Sequence, residues 1–421
     1  MKKFFWVAVL MASFLTVLNV PTLAAESDAM EDVNSAIGSL SNRVADVEKV
    51  LGLKFFGDMR VRYAFITQAA SQAGVSIPDS SMGRFRGRFG VSRKLGDFTG
   101  RVRFGTGATA KPWSQNNTFD TAFTNPGIII DTASLTWEPN FATGVALTAG
   151  KMANPLTRTS ITWDPDIQPE GLALEIKKYD FTLRATYFEL QNLFASGTTF
   201  GNMDLFMDNL QLEYAYKFDS DTSVGVFVGY EYIPNSTLIM SSGVSTVLGK
   251  NPITGFGGVT DPGGVARDWN NVEGMVIFKH KIGPVPFKWY FHLTDNLNGM
   301  NLPISGGVYS AIFTNRYACL GGVDIGTLST PGDLAGNLYV ASLDPNANLP
   351  FLTDDDPGET NRQYVYGSLS FLAEPGVTLK LSQWAVNREY YAVSGVGAAN
   401  ALGGSSQSPE FVTYADCLLS L

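Results

Sequence analysis

In the stretch GRFRGRFGVSRKLGDFTGRVRFG, Gly83–Gly105, arginine recurs at every second position: Arg84, Arg86 and Arg88, then Arg101 and Arg103. Phe85, Phe89, Val102 and Phe104, or glycine, fill the alternate places. A period of two is the signature of a strand, with successive side chains on opposite faces. One face is then cationic and the other aromatic, a pairing for which a sheet in water has no use. In lipid the backbone must satisfy its own hydrogen bonds, so strands cross only as a closed barrel. An arginine turned to lipid at the midplane costs roughly 2–4 kcal/mol, which assigns the faces. Phe85, Gly87, Phe89 and Val91 are expected to face lipid, and Arg84, Arg86 and Arg88 to face an aqueous interior. With Leu95-Gly96 as the tip, Lys94 would pair with Asp97, Arg88 with Arg103 and Phe89 with Val102, leaving each face chemically uniform.

The same period runs through the rest of the chain after Gly52. In LKFFGDMRVRYAF, Phe55, Met59, Val61, Tyr63 and Phe65 alternate with Asp58, Arg60 and Arg62. Further strands are read at 132–137, 144–152, 171–177, 181–190, 209–218, 223–232, 272–281 and 285–294. The last five fall at 318–328, 334–344, 363–371, 377–385 and 411–421. With the opening hairpin this makes about sixteen. Tight turns such as KLGD, KKYD, FDSD, KIGP, STPGD and AEPG alternate with long Gly/Ser/Asn/Pro-rich segments such as 235–267 and 297–317. Short turns on one rim and long loops on the other describe an outer-membrane barrel, whose turns are periplasmic and whose loops are extracellular. Trp137, Tyr214, Tyr216, Tyr230, Tyr232 and Trp289 are expected at strand ends, in the aromatic girdles.

The N-terminus has a different character. Lys2 and Lys3 precede an apolar run, Phe4–Val20, and small residues at Ala24 and Ala25, which reads as a secretory signal over 1–25. From 26 to 52, Met30, Val33, Ile37, Leu40, Val44, Val47 and Leu51 are spaced three and four apart. That is an a/d seam and predicts a short periplasmic coiled coil; a single amphipathic helix lying on the barrel is the alternative. The expected fold is thus an all-β transmembrane barrel over 53–421 preceded by a short helical segment.

Arg60, Arg62, Arg84, Arg86, Arg88, Arg101 and Arg103 would form one basic wall on three adjacent strands. Like charges directly opposite destabilise a strand pair, so counter-charges are required. MANPLTRTSITWDPDIQPEG, Met152–Gly171, offers Asp164, Asp166 and Glu170 in a frame stiffened by Pro165 and Pro169. Folded inward, this third long loop would set its carboxylates against the arginines; the alternative is a solvated cap outside.

Catalytic and metal chemistry find little support. Of two histidines, His292 is expected inward and His280 near a turn, and no serine motif supplies a nucleophile for either. Two distant cysteines, Cys319 and Cys417, offer no metal spacing and are expected to be buried free thiols. The chain is read as non-enzymatic, with no cofactor, and a net charge of −9 argues against nucleic acid.

The leader, FGDMRVRY, RGRFG…RVRFG and TWDPDIQPEGLAL together resemble bacterial outer-membrane porins, in particular the loosely defined "putative porin" group of diderm bacteria. The resemblance implies a sixteen-stranded homotrimer in outer-membrane lipid. It also implies a pore narrowed by the third loop, with the seven arginines facing Asp164, Asp166 and Glu170. Two features depart from the pattern: the terminal Leu421 stands where an aromatic is usual, and three heptads stand where some relatives carry a wall-binding domain. The expected function is passive diffusion of small hydrophilic solutes and ions. The alternatives are a barrel-anchored adhesion protein and a channel specific for a sugar or an anion.

Overall fold

The computed structural model describes residues 51–67, 71–72, 75–76, 79–108, 114–119, 125–191, 205–234, 268–297, 316–344, 347–349, 352–354, 356, 362–388 and 410–420. Two compact units are present, Met1–Phe55 and Phe56–Leu421. The leader and nearly all of the heptad segment lie outside the described residues, as do the long segments 235–267 and 298–315.

Sixteen long strands occur among the described residues. They are β1 (Leu53–Thr67), β2 (Ser80–Leu95), β3 (Phe98–Thr106), β4 (Ile128–Trp137), β5 (Val145–Lys151) and β6 (Glu170–Lys178). β7 (Phe181–Gln191), β8 (Leu205–Lys217), β9 (Ser223–Ile233), β10 (Trp269–Ile282) and β11 (Val285–Asn296) follow. The last are β12 (Tyr317–Ile325), β13 (Leu334–Leu343), β14 (Arg362–Glu374), β15 (Val377–Arg388) and β16 (Glu410–Ser420). Each expected strand is present within a few residues of its place. Every strand pairs antiparallel with its sequence neighbours, and β16 returns to β1 from Asp58↔Ser420 to Thr67↔Phe411. The ring is closed, so no sheet edge is left unpaired.

Alternation sorts the two faces. On β1, Met59, Val61, Tyr63 and Phe65 are exposed, while Arg62 and Ala64 are buried. On β8, Leu210 and Leu212 are 51% and 48% exposed, while Asn209 and Gln211 between them are buried. A continuous exposed belt of Leu, Val, Phe and Tyr on the convex side is the surface that hydrocarbon wets. Trp137 stacks on Phe98 at 6.4 Å and meets Phe141 in a tilted contact at 6.0 Å beside the short turns. There too, the Trp289 indole N–H donates to His280 Nε2 at 3.0 Å. Tyr232 donates to Asp268 at 3.1 Å beside a long connection.

Two expectations are corrected. The β2–β3 hairpin turns at Gly96-Asp97, pairing Leu95 with Phe98, Lys94 with Thr99 and Phe89 with Phe104. Arg88 accordingly meets Gly105 and Gly90 meets Arg103. The tip needs a left-handed residue in its first place, and Gly96, at φ +58°, adopts it without the steric cost a Leu would carry. A shift of two residues keeps parity, so the faces survive while the like-charge Arg88–Arg103 pair disappears. The cysteines are free, but Cys417 is exposed and Cys319 half-buried. Each shares its parity with outward neighbours, Leu419 and Tyr317 respectively, because β-alternation places them on the convex side.

Candidate functional site

The connection from β5 to β6, residues 152–169, runs across the concave face of the barrel. It is built to be buried: Met152, Leu156, Ile161 and Trp163 have between 0% and 7% of their surface exposed. Trp163 and Leu156 pack with Phe188, Met207, Ile233 and Trp269 of the inner wall. Ile161 enters a second cluster with Tyr364, Tyr366, Trp384 and Tyr414. The loop braces itself through Trp163 Nε1 to Ile167 O at 3.1 Å and Gln168 Nε2 to Pro165 O at 3.1 Å. Asp164 caps the turn by accepting the Asp166 N–H at 2.9 Å.

Polar contacts pin the loop strand by strand. Gln211 of β8 exchanges hydrogen bonds with the backbone of Thr157, at 2.9 and 3.0 Å. Arg158 reaches Asn209 of β8 and Glu231 of β9, each at 2.7 Å, and Glu273 of β10 at 3.5 Å. Thr159 contacts His292 Nδ1 of β11 at 2.8 Å, and His292 Nε2 lies 3.3 Å from Glu273. Ser160 reaches Tyr364 of β14 at 3.3 Å. His292 is fully buried and anchors the loop.

A second inward segment, absent from the sequence reading, holds the first in place. Within the β13–β14 connection, Ala347, Asn348, Leu349, Leu352 and Thr353 are all buried. Asn348 donates to Ile161 O at 2.9 Å, and the Asp354 N–H donates to Ser160 O at 3.1 Å. The alternation of Leu349 and Leu352 with polar residues carries no strand or helix period, so nothing in the sequence flagged it.

The seven arginines lie on the inner parity of β1, β2 and β3, but their counter-charges come mostly from the wall itself. Asp58, two residues before Arg60, accepts from Arg86 at 3.0 Å and from Arg88 at 2.7 Å. Asp416 of β16 holds Arg62 bidentately, at 2.7 and 3.0 Å, and Asp356 adds a contact at 3.4 Å. Asp131 of β4 binds Arg103 and Gln115. Arg101 rests over the Phe56 ring at 3.9 Å. Arg60 donates to Asn116 at 2.7 Å. Of the three loop acids, Asp166 touches the arginine wall, at 3.3 Å from Arg86. Asp164 is buried in the loop's own turn. Glu170 is the first residue of β6, on the parity of the exposed Leu172, where it pairs with Lys151 at 2.8 Å.

Asp131 shows why strict alternation missed a partner. Arg103 pairs with Thr132 and Phe104 with Ile130, so Asp131 is the extra residue of a β-bulge. A bulge re-aims a side chain, and here Asp131 and Thr132 are both 98% buried on the inner side. In an unbroken strand they would face opposite ways. On the β6–β10 sector the balance is reversed: Arg184 sits between Glu175 at 2.9 Å and Glu213 at 2.8 Å, and Arg158 between Glu231 and Glu273. In the ring β9 and β10 stand eight strands from β1 and β2.

A closed antiparallel barrel of sixteen long strands, apolar outside, charged inside and crossed by an inward connection, has the architecture of a bacterial porin. Residues 75–231 match the model of the family described as "Putative porin". The high-pH structure of Pseudomonas putida OprB superposes with a TM-score of 0.56 at 9% identity, covering 88% of this chain and 94% of that one. A Rhodopseudomonas blastica porin variant gives a TM-score of 0.45 at 11% identity, covering 88% and 100%. No curated protein matches the chain.

Proposed function

We propose that this protein is an outer-membrane channel through which small hydrophilic solutes and ions diffuse down their gradients. The observation that carries the reading is the run of residues 152–169 across the inner wall, which leaves solutes to pass between a basic sector and an acidic one. Against the seven arginines on β1–β3 stand five aspartates, Asp58, Asp131, Asp166, Asp356 and Asp416, which pair with Arg62, Arg86, Arg88 and Arg103. Four glutamates on β6, β8, β9 and β10 meet Arg158 and Arg184. Each sector thus carries a local excess of its own sign, and the field between them acts on any ion in transit. In this reading Arg60, Arg62, Arg84, Arg86, Arg88, Arg101 and Arg103 line the pore and Asp166 borders its narrow part. The leader 1–25 exports the chain, the heptads of 26–52 form a periplasmic coiled coil, and three barrels associate.

Planar-bilayer recording of purified protein tests it. Ohmic steps are expected, and replacing Arg86, Arg88 and Arg103 with glutamine should move the reversal potential toward cation preference. A folded barrel that gives no steps would refute the channel reading.

A further inference from the structure

Five of the seven wall arginines are accounted for by protein groups: Arg62, Arg86, Arg88 and Arg103 have carboxylates, and Arg101 has an aromatic face. Arg60 and Arg84 have no carboxylate within 4 Å among the described residues; Arg60 has only the Asn116 amide oxygen. They stand in a crowded cationic place. Arg60 on β1 lies within electrostatic reach of both Arg62 and Arg86. Arg84, two residues from Arg86 on the same face of β2, shares the Tyr414 ring as a neighbour with Arg62. The Nε–H groups of Arg60, Arg84 and Arg86 are shielded from water and have no acceptor among the described residues.

The surrounding acids are already committed. Asp58 is divided between Arg86 and Arg88, and both oxygens of Asp416 are taken by Arg62. Asp356 bonds both Arg62 and Tyr414, at 3.4 and 3.0 Å. Adjacent guanidiniums with spare N–H donors and no protein carboxylate match an oxyanion that offers several oxygens at once. A halide offers one centre, whereas an oxyanion presents separate oxygens to the separate N–H groups of two guanidiniums.

We propose that Arg60 and Arg84, flanked by Arg86, form a binding site for a small multivalent oxyanion of the phosphate class. The proposal rests on the channel reading and names a solute class for it. Bound there, the anion would accept from guanidinium N–H groups that face the lumen and offset the like-charge repulsion between β1 and β2.

Inorganic phosphate added to single channels recorded in potassium chloride is the test. Phosphate is expected to reduce the current in a saturable way. The double substitution R60Q/R84Q should raise the half-blocking concentration by roughly tenfold or more, as expected when charge-assisted, bidentate donors are lost. R84K, which keeps the charge but loses the fork, should fall between them, and K94Q, at the exposed turn, should match the parent. Heat-modifiable gel mobility establishes that each variant is a folded barrel. If R60Q/R84Q does not fold, R84Q and R84K alone decide. A conducting channel that phosphate does not block, or blocks equally in R84Q, overturns the anion site and leaves the channel standing. Absence of conductance in the parent overturns both.

Discussion

Arg158 Nη2 lies 2.7 Å from Glu231 Oε2, and both side chains are more than 95% buried. The arginine belongs to the inward connection and the glutamate to the barrel wall, so this one contact ties a loop to the scaffold. Glu273 at 3.5 Å, with His292 behind it, completes the buried cluster. Removing one partner of such a pair leaves an uncompensated charge, which costs about 3–5 kcal/mol. Arg158→Met is therefore expected to lower the thermal unfolding temperature and to raise open-channel noise and conductance as residues 152–169 come loose. Adding Glu231→Gln and Glu273→Gln should recover most of the stability; unfolding followed by gel mobility and single-channel traces check both outcomes.

Asp58 is the shared acceptor of Arg86 and Arg88. Asp58→Asn strips one negative charge from the basic sector, leaving Arg86 with Asp166 alone and Arg88 without its carboxylate. Zero-current potentials under a salt gradient should move toward anion preference, opposite in sign to the effect of neutralising the arginines. A shift in the same direction would contradict the assignment of Asp58 to the pore wall.

Gly150 and Gly171 are register partners at the base of the inward connection, at φ +110° and +150°. A Cβ at Gly171 would stand 2.0 Å from Tyr187 O and one at Gly150 2.4 Å from Ala133 O, both backbone atoms that cannot move aside. Gly171→Ala is expected to destabilise the barrel by more than about 1 kcal/mol. The folded fraction recovered after refolding into detergent should drop, more than for Gly100→Ala, where a Cβ meets open space.

Asp333 sits in the short turn before β13, where the backbone N–H groups of Thr330 and Ser329 hold its carboxyl below the ordinary value of 3.8. A carboxyl depressed in the folded state stabilises it above its unfolded value, and that contribution is lost as pH falls through the lowered folded value. The turn should therefore loosen only in acid below pH 3.8. Asp333→Asn should flatten this part of the pH–stability curve, read as thermal unfolding temperature against pH between neutrality and strong acid.

The sequence by itself determined the barrel, its strand positions and the chemistry of its two faces. Alternation of Arg60 and Arg62 with Val61 and Tyr63, or of Arg84, Arg86 and Arg88 with Phe85 and Phe89, is a local property that lipid and water read directly. It also marked residues 152–171 as the loop of interest, because Asp164, Asp166 and Glu170 stand there in a frame stiffened by Pro165 and Pro169. Tertiary structure decided which charges meet. Asp58 lies within hydrogen-bonding distance of Arg86 and Arg88 because β1 and β2 are adjacent, and Asp416 reaches Arg62 because the barrel closes, 354 residues apart in sequence. Asp131 turns inward through a bulge, and Glu170 falls on the outer parity because β6 begins one residue earlier than its sequence pattern suggested. Periodicity fixes the face of a strand, whereas the partner across the ring depends on closure, register and bulges, which no single stretch of sequence contains.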